Sequence, residues 1–354
     1  MKIVCIGDVL LPPEMMMAAA PEFKRYIEAK YFFFGPGTRS EMRSYIKKME
    51  AEGPLCVPVP GEIMYEIENA DVLQVHMVPL PAEVFERGKK LKIVASNRGG
   101  YENIDISAAN MHGVPVICNP AHNANAVAEM TIGLILAEMR NIARCHASLA
   151  CRGEWLEKYP NSGQIHELKN KTAGLIGFGT IARIVAKLLS AFDMKLVVYD
   201  PYVGAEDIEA AGAKKVDLDT LLACSDVISM HARVSESTRE MIGSEQFHKM
   251  KKNAIFINTA RPALVDMDAL YTALKEQWIM GAAIDVFPTE PLHPSDPLLK
   301  LENITMTCHK GGDTVESYAD SPGMVLREVE KFFAGGRPQF LVNPSVLGKS
   351  QQDL

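Results

Sequence analysis

The sequence predicts an α/β fold built from two parallel-sheet domains, and three observations support this prediction. Short β-rich runs alternate with helical patterns along most of the chain, which is the order that right-handed βαβ units produce. The chain has 354 residues, and at roughly 150 residues per domain this length suggests two domains. Hydrophobic residues make up 47% of the chain and charged residues 23%, so there are enough apolar side chains to bury two cores.

The alternation forms two series, one on each side of a long helical pattern. The first series predicts four strands and two helices: Lys2–Ile6, Val72–Val75, Lys92–Ser96 and Pro115–Ile117, with helices Pro81–Gly88 and Ile106–His112. The second predicts five strands and three helices: Thr172–Ile176, Lys195–Tyr199, Val227–Met230, Ala254–Asn258 and Gly281–Asp285, with helices Ile181–Ala191, Leu218–Ala223 and Met267–Gln277. Between the series, apolar spacing over Asn123–Cys151 predicts one long helix that crosses between the domains. The segment Phe34–Pro60, with many Gly and Pro residues, predicts no clear element.

Composition excludes several classes of protein. The formal net charge of -7 argues against a nucleic-acid-binding surface, which needs clustered positive charge. The 7 cysteines are odd in number, scattered and without a C-x-x-C pair, so we expect reduced thiols, no disulfide framework and no metal site. The most apolar stretch, Val127–Met139, contains Glu129, Thr131 and Glu138 and predicts no membrane span. Because Met1–Asp8 also predicts a strand and not a signal peptide, we expect a cytoplasmic protein.

The strongest local motif is a glycine-rich turn that follows a predicted strand and begins a helix. It has the form G-x-G-x-x-[G/A] and runs through Gly177, Gly179, Thr180, Ile181 and Ala182. The first Gly permits a tight turn, the second lets a pyrophosphate approach the backbone, and the small last residue lets the helix pack on the strand. Asp200 ends the next predicted strand, where an acid hydrogen-bonds the adenosine ribose. The pair of features predicts NAD as cofactor; the alternative is a Gly turn and a surface Asp without a nucleotide.

Three later segments each place a polar residue after a strand-like run. These residues are Arg261, Glu290 and His309. The carboxyl ends of parallel strands form the ligand crevice of an open α/β sheet, so we expect the three side chains to converge there. A His is suited to acid/base catalysis near neutral pH, a carboxylate orients the ring, and a guanidinium binds a carboxylate with two hydrogen bonds. Taken singly, each residue is better explained as part of a surface ion pair, a turn or a loop cap; taken together with the glycine-rich motif, the three favour a catalytic site.

Taken in order, these segments resemble the D-isomer-specific 2-hydroxyacid dehydrogenase family, which includes phosphoglycerate and glycerate dehydrogenases. The resemblance also includes Gly100–Asp105, Asn125–Glu129 and His231–Arg239, so it covers nearly the whole chain. It implies a discontinuous, flavodoxin-like substrate domain, 1–122 and 309–354, with a Rossmann-like NAD-binding domain, 123–308, inserted in it. It further implies an active site in the cleft between the domains and a homodimer.

The resemblance also assigns roles to individual residues. The family's catalytic triad matches Arg261, Glu290 and His309, and the turn at Gly99 and Gly100 matches the backbone that binds the substrate carboxylate. Two further residues, Thr259 and Asp285, match cofactor-contacting positions, although Asp285 is also consistent with a helix cap. His231 lies in a strand-end segment of the family and is about as consistent with a structural histidine.

Departures from the family pattern concern the substrate. Arg98 precedes Gly99-Gly100 where the family usually has Gly-Val-Gly, and His76 lies where a substrate-binding Arg is often found. We expect Arg98 to serve a second anionic group, with His76 as a further donor; the alternative is that Arg98 pairs with a surface acid such as Glu102. Cys308 and Pro262 replace a Pro and a Gly beside the catalytic positions.

The expected function is NAD-dependent interconversion of a D-2-hydroxy acid and its 2-keto acid, such as a sugar acid or 3-phosphoglycerate. The resemblance leaves one alternative from another class, an NAD(H)-binding corepressor of the same fold with little turnover. Corepressors of this fold keep the triad, so the triad alone does not separate the two hypotheses.

Overall fold

The computed structural model describes residues 1–25 and 28–347, and its contacts divide the chain into two compact units. Unit 1 consists of Met1–Asn123 and Thr314–Leu354, and unit 2 consists of Ala124–Asp313. Each unit has its own sheet, and every pairing between named strands is parallel. The predicted fold class, two parallel-sheet α/β domains, is therefore confirmed.

The sheet of unit 1 has five strands in the order β2-β1-β3-β4-β5. Their bounds are β1 Lys2–Gly7, β2 Glu28–Phe33, β3 Val72–Val75, β4 Ile93–Ser96 and β5 Val116–Ile117. All residues of β3 and β4 are buried, as expected of central strands that helices cover on both faces. The edge strand β2 was not predicted: its first half carries the charged residues Glu28 and Lys30, and its apolar residues are confined to Tyr31–Phe33.

Seven helices belong to unit 1 among the described residues. They are α1 Pro13–Ala18, α2 Arg39–Glu52, α3 Gly61–Ile67, α4 Ala82–Arg87, α5 Ile106–Met111, α13 Val315–Ala319 and α14 Ser321–Phe333. The longest, α2, lies inside the segment for which the sequence predicted no element. Its amino end is capped by the Thr38 side chain, which accepts from the Glu41 amide, and it ends at Gly53 with φ 68°.

The sheet of unit 2 has seven strands in the order β12-β11-β10-β9-β6-β7-β8. Their bounds are β6 Thr172–Ile176, β7 Lys195–Tyr199, β8 Lys214–Lys215, β9 Val227–Met230, β10 Ile255–Asn258, β11 Gly281–Ile284 and β12 Ile304–Met306. The five strands predicted in this region are confirmed to within one residue at each end. The chain leaves β6 in one direction and returns to its other side at β9, and ligands of open α/β sheets bind at such a switch point.

The first helices of unit 2 differ from the sequence prediction. They are α6 Ala124–Met139, α7 Ile142–Ala147, α8 Thr180–Ser190, α9 Ala205–Ala210, α10 Leu218–Cys224, α11 Ser244–Lys249 and α12 Met267–Lys275. The single helix predicted over Asn123–Cys151 is wrong, because Asn141 has φ 56° and this left-handed residue separates α6 from α7. A π-helical turn, Ser148–Arg152, follows. The predicted crossing between domains is also wrong, since α6 lies entirely within unit 2.

Alternate residues of the central strands point to two apolar clusters in each unit. In β10, Ile255 and Ile257 belong to one cluster and Phe256 to the other. In β1, likewise, Val4 belongs to one cluster of unit 1 and Cys5 to the other. This period of two gives each sheet two buried faces and leaves its strand ends for polar side chains. In the part of the chain that the structure describes, every helix is too short or too polar to cross a membrane.

Candidate active site

The predicted catalytic residues follow three neighbouring strands of unit 2. Arg261 follows β10, Glu290 follows β11 and His309 follows β12, and these strands are adjacent in the sheet. Neighbouring strands lie about 4.8 Å apart, so their carboxyl ends deliver the three loops to one edge. All three residues therefore follow the carboxyl ends of adjacent strands, where we expected them from the sequence.

Glu290 and His309 form a hydrogen-bonded pair at this edge. His309 Nδ1 lies 2.8 Å from Glu290 Oε2, and the other carboxylate oxygen accepts from the Phe287 amide at 3.0 Å. Because an ionised carboxylate only accepts, Nδ1 carries the proton, and Nε2 is left for another partner. The side chains are 49% and 31% exposed, so both solvent and a small ligand can reach them.

Asp285 holds the loop that carries His309. The carboxylate is 1% exposed and accepts three hydrogen bonds: from Thr307 Oγ1 at 2.6 Å, from the Lys310 amide at 2.8 Å and from the Gly311 amide at 2.7 Å. His309 lies between these donors with φ 52°, a left-handed conformation that is costly for a residue with a Cβ. The bonds to Asp285 stabilise that conformation. Asp285 thus bonds to a loop and not to a helix start, so the helix-cap alternative is wrong, and its predicted cofactor contact stays a prediction.

Arg261 is exposed at the start of a short turn that Asn258 organises. The buried Asn258 side chain donates to the Arg261 carbonyl at 3.0 Å and accepts from the Ala260 amide at 3.0 Å. The guanidinium donates to the Ala260 carbonyl at 2.8 Å. Among the described residues no carboxylate forms an ion pair with it, so the backbone is fixed while the cation stays available for an anionic ligand.

The glycine-rich turn has the geometry that a dinucleotide requires. Gly177 has φ 92°, and a Cβ there would lie 2.7 Å from the Ala232 amide nitrogen, so only Gly fits. At Gly179, in contrast, no described atom lies within 4 Å of the Cβ position, and the surface above the amino end of α8 is open. Ala182 is fully buried between helix and sheet. An exposed, uncapped helix end of this kind binds phosphate through its free N–H groups.

The two other predicted cofactor residues have partners of their own. Asp200 is 8% exposed; its Oδ2 accepts from the Phe178 amide at 2.7 Å, and its Oδ1 accepts from the Tyr202 amide at 2.8 Å. These bonds join the glycine turn to the end of β7 and leave lone pairs on the carboxylate for a further donor. The Thr259 hydroxyl lies 2.9 Å from that of Thr131.

His231 has a structural environment. Its Nε2 lies 3.0 Å from Ser229 Oγ, and burial lowers the pKa of its ring to about 4. The neutral form therefore prevails near neutral pH. Among the described residues no group of three or more His, Cys, Asp and Glu is placed to hold a metal ion.

The predicted substrate residues lie in unit 1, where the structure adds a partner that the sequence analysis missed. His76 Nδ1 lies 2.7 Å from Asp8 Oδ2, and both residues are buried. Asp8 follows β1 as His76 follows β3, and these strands are neighbours in the sheet, so position after a strand was the signal that could have found it. Arg98 follows β4 and contacts Glu102, with Nη2 3.3 Å from Oε2. The alternative predicted for Arg98, a pair with Glu102, is thus present.

Comparison with known proteins agrees with these observations. The family model for "D-isomer specific 2-hydroxyacid dehydrogenase, NAD binding domain" matches residues 132–311. A D-3-phosphoglycerate dehydrogenase of Methanocaldococcus jannaschii is 41% identical over 80% of this chain, which spans 53% of that protein. A glyoxylate reductase of Thermofilum pendens is 38% identical over 82% of this chain and 86% of its own length.

A solved structure of D-lactate dehydrogenase with NAD+ from Lactobacillus jensenii is also similar. It has a TM-score of 0.75 and 25% sequence identity, covering 97% of this chain and 99% of that one. The predicted resemblance and the predicted cofactor are both confirmed. The chain belongs to the D-isomer-specific 2-hydroxyacid dehydrogenase family and is an NAD-dependent oxidoreductase.

Proposed function

We propose that the protein interconverts a D-2-hydroxy acid and its 2-keto acid, with Arg261, Glu290 and His309 as catalytic residues. The observation that carries this proposal is the 2.8 Å pair of Glu290 and His309. It stands at the strand ends of the unit that also holds the glycine-rich turn. An exposed imidazole with a fixed tautomer is what proton transfer to a small substrate needs.

Each of these side chains has one task in the proposed reaction. In reduction, protonated His309 donates the Nε2 proton to the keto oxygen; in oxidation, neutral Nε2 takes the proton from the hydroxyl. Glu290 favours the imidazolium by its charge and fixes the ring through Nδ1. Arg261 binds the substrate carboxylate with two hydrogen bonds and polarises the keto oxygen beside it. NAD, when bound, supplies the hydride acceptor or donor.

The cofactor contacts are assigned by the same proposal. Backbone groups of the turn and helix start bind the pyrophosphate, at Gly177, Gly179, Thr180, Ile181 and Ala182. Asp200 binds the ribose hydroxyls, and its charge disfavours a 2′-phosphate, so NADH is preferred over NADPH. Thr259 and Asp285 lie near the nicotinamide end.

The substrate contacts belong to unit 1. The amides of Gly99 and Gly100 bind the reacting carboxylate, and Arg98, with His76 as a further donor, serves a second anionic group of the substrate. The relatives named above are a phosphoglycerate dehydrogenase, a glyoxylate reductase and a lactate dehydrogenase, so they do not select one acid.

A homodimer is part of the proposal. Several large apolar side chains between Ile142 and Ile165 are exposed, including Trp155 at 83% and Leu149 at 50%. Exposed apolar groups concentrated in one stretch are typical of an interaction surface, and a second copy of this chain is the proposed partner. A cytoplasmic location follows from the expected reduced state of the cysteines.

A panel of 2-keto acids with NADH, followed by loss of nicotinamide absorbance, tests the proposal. We expect turnover with at least one acid and NADH use above NADPH use in kcat/KM. The corepressor hypothesis has no support among the relatives named here. Tight NADH binding without turnover of any acid would nevertheless favour it and refute the proposed reaction.

A further inference from the structure

Arg98 is a nearly buried cation with only half of its guanidinium in use. Its side chain is 10% exposed, and Nη2 lies 3.3 Å from Glu102 Oε2 and 3.6 Å from Glu50 Oε1. Nη1 is buried and has no hydrogen-bond partner in the described part of the chain. A buried donor without a partner is costly, and the cost is larger when the group is charged. The site therefore holds unused capacity for an anion.

The two acids that neutralise Arg98 are not fixed in place. Their side chains are 51% and 52% exposed, and both contacts are ion pairs longer than a good charge-assisted hydrogen bond. Solvent reaches the carboxylate end of each pair and weakens its attraction to the guanidinium. Either carboxylate can therefore be replaced by another anion at small cost.

Glu102 occupies a particular position beside the glycine turn. A Cβ on Gly100 would lie 2.4 Å from Glu102 Oε2, so the carboxylate rests directly against the backbone there. On the other side of the turn, a Cβ on Gly99 would lie 3.0 Å from Pro120 Cα. At the turn, Gly99 thus packs against backbone, whereas the nearest group to the Gly100 Cβ position is the Glu102 carboxylate.

The surroundings of Arg98 are otherwise basic or neutral. Burial, together with the charges of His76 and Arg98, lowers the pKa of His122 to about 4, so these three side chains are close enough to interact electrostatically. The nearby carboxylate of Asp8 is already paired, with its Oδ2 2.7 Å from His76 Nδ1. A dianionic ligand at this place would meet Arg98 without facing an uncompensated buried carboxylate, and Nε2 is the ring nitrogen of His76 that is left as a further donor.

Resting on the proposed function, we propose that Arg98 binds a second anionic group of the substrate by taking it in exchange for Glu102. The substrate class is then a 2-keto acid with a phosphate or a second carboxylate. Glu102 is an internal competitor: it neutralises Arg98 in the free enzyme, and the second anionic group of a substrate has to displace it in order to bind. Arg98 selects substrates that carry a second anionic group, and competition from Glu102 limits how tightly that group binds.

Steady-state kinetics on four keto acids tests this inference. Pyruvate and glyoxylate carry one anionic group; 2-oxoglutarate adds a carboxylate and 3-phosphohydroxypyruvate adds a phosphate, so the two dianions identify the preferred group. For Arg98→Gln we expect the kcat/KM of the preferred dianion to fall about 10- to 100-fold, the value of a hydrogen bond to a charged group. The monoanions should change by less than about 3-fold.

Glu102→Gln provides the opposite test, because it keeps Arg98 and removes only the competing charge. We expect KM for the dianion to fall about 2- to 5-fold, and by more than the KM of either monoanion. Glu50→Gln is the matched control: it removes an acid from the same nitrogen but not from the glycine turn, and its effect should be smaller. If Arg98→Gln does not fold, Arg98→Lys replaces it and should lose part of the dianion preference.

The experiment distinguishes failure of the proposed function from failure of the inference about Arg98. If wild-type protein reduces none of the four acids, the proposed function fails. If it reduces some of them but Arg98→Gln affects monoanions and dianions equally, the inference alone is wrong. An unchanged dianion KM in Glu102→Gln would also overturn it, because the exchange of one anion for the other would then not occur.

Discussion

Each of the two units contains a carboxylate–histidine pair of nearly the same length, in opposite surroundings. In unit 1, His76 and Asp8 are 2.7 Å apart with side chains 4% and 0% exposed. In unit 2, His309 and Glu290 are 2.8 Å apart with side chains 49% and 31% exposed. The chemical groups are the same, so the difference in burial decides what each pair can do.

The buried pair is part of the structure of its unit. Burial raises the pKa of Asp8, but the charge of His76 and hydrogen bonds from His76, Leu10 and Met77 outweigh it and hold the pKa below its usual value. Asp8 thus stays ionised and fixes two chain segments. The exposed pair has fewer fixed partners, and its imidazole is open to a proton donor or acceptor from outside. The distance between the two groups is nearly the same in both pairs, so only their exposure to solvent separates the structural pair from the proposed catalytic pair.

The largest expected effect concerns the exposed pair. His309→Ala should lower keto-acid turnover by about 10²- to 10⁴-fold, because it removes the proposed acid/base. NADH binding, measured by fluorescence titration, should change little, since the glycine turn and Asp200 remain. A loss of NADH affinity as large as the loss of turnover would show that His309 acts in binding.

The second effect concerns the buried pair. Asp8→Asn should lower the free energy of unfolding by about 3–5 kcal/mol, because it leaves His76 buried without its counter-charge. Urea denaturation measures this value. A change below about 1 kcal/mol would mean that the pair is dispensable for stability and would remove the contrast between the units.

A third, smaller effect compares one histidine from each unit. Burial lowers the pKa of both His122 and His231 from 6.5 to about 4. As the pH falls below 6.5, the unfolded chain takes up these protons before the folded chain does, so stability present above pH 6.5 is lost towards pH 4. At about 1.4 kcal/mol per pKa unit, and allowing for partial exposure, we expect about 2–3 kcal/mol per histidine.

Denaturation curves at several pH values, for wild type and for His122→Asn and His231→Asn, measure this effect. Each variant should lose stability less steeply with acid than the wild type. Equal slopes in all three proteins would contradict the pKa direction for both sites.

The smallest effect on stability is expected for Glu290→Gln. An exposed pair contributes at most about 1 kcal/mol, so the free energy of unfolding should change by less than that, in contrast to Asp8→Asn. The kcat for keto-acid reduction should nevertheless fall, because the His309 ring loses the carboxylate that fixes its orientation. An unchanged kcat would show that the pair is not needed to position the ring.

More of the strands and helices of unit 2 than of unit 1 could be predicted from the sequence, and the reasons are physical. Its central strands are apolar runs that end at polar residues, and the turn at Gly177 fixes the order strand-turn-helix locally. The candidate active site follows from strand ends alone. In unit 1, α2 buries only a few apolar residues such as Met42 and Met49, and β2 is a charged edge strand. Neither gives a clear hydrophobic period.

Other features depend on contacts far apart in the sequence. The pair of Asp8 and His76 requires β1 to pair with β3 in the register that sets Ile6 opposite Val75. The break after α6 depends on a single left-handed residue, Asn141, whose side chain donates to Asn161 at 2.8 Å. The period of apolar residues continues through that break, and a reading of periodicity alone therefore joins the two helices.

The carboxylate of Asp285 also gives the His309 loop a signature in amide hydrogen exchange. The amides of Lys310 and Gly311 donate to this one buried group, at 2.8 and 2.7 Å, in a loop that follows β12. They should exchange with deuterium only when the loop opens, and together. Their exchange rate therefore measures how often the proposed acid/base leaves its working conformation, without any substrate present.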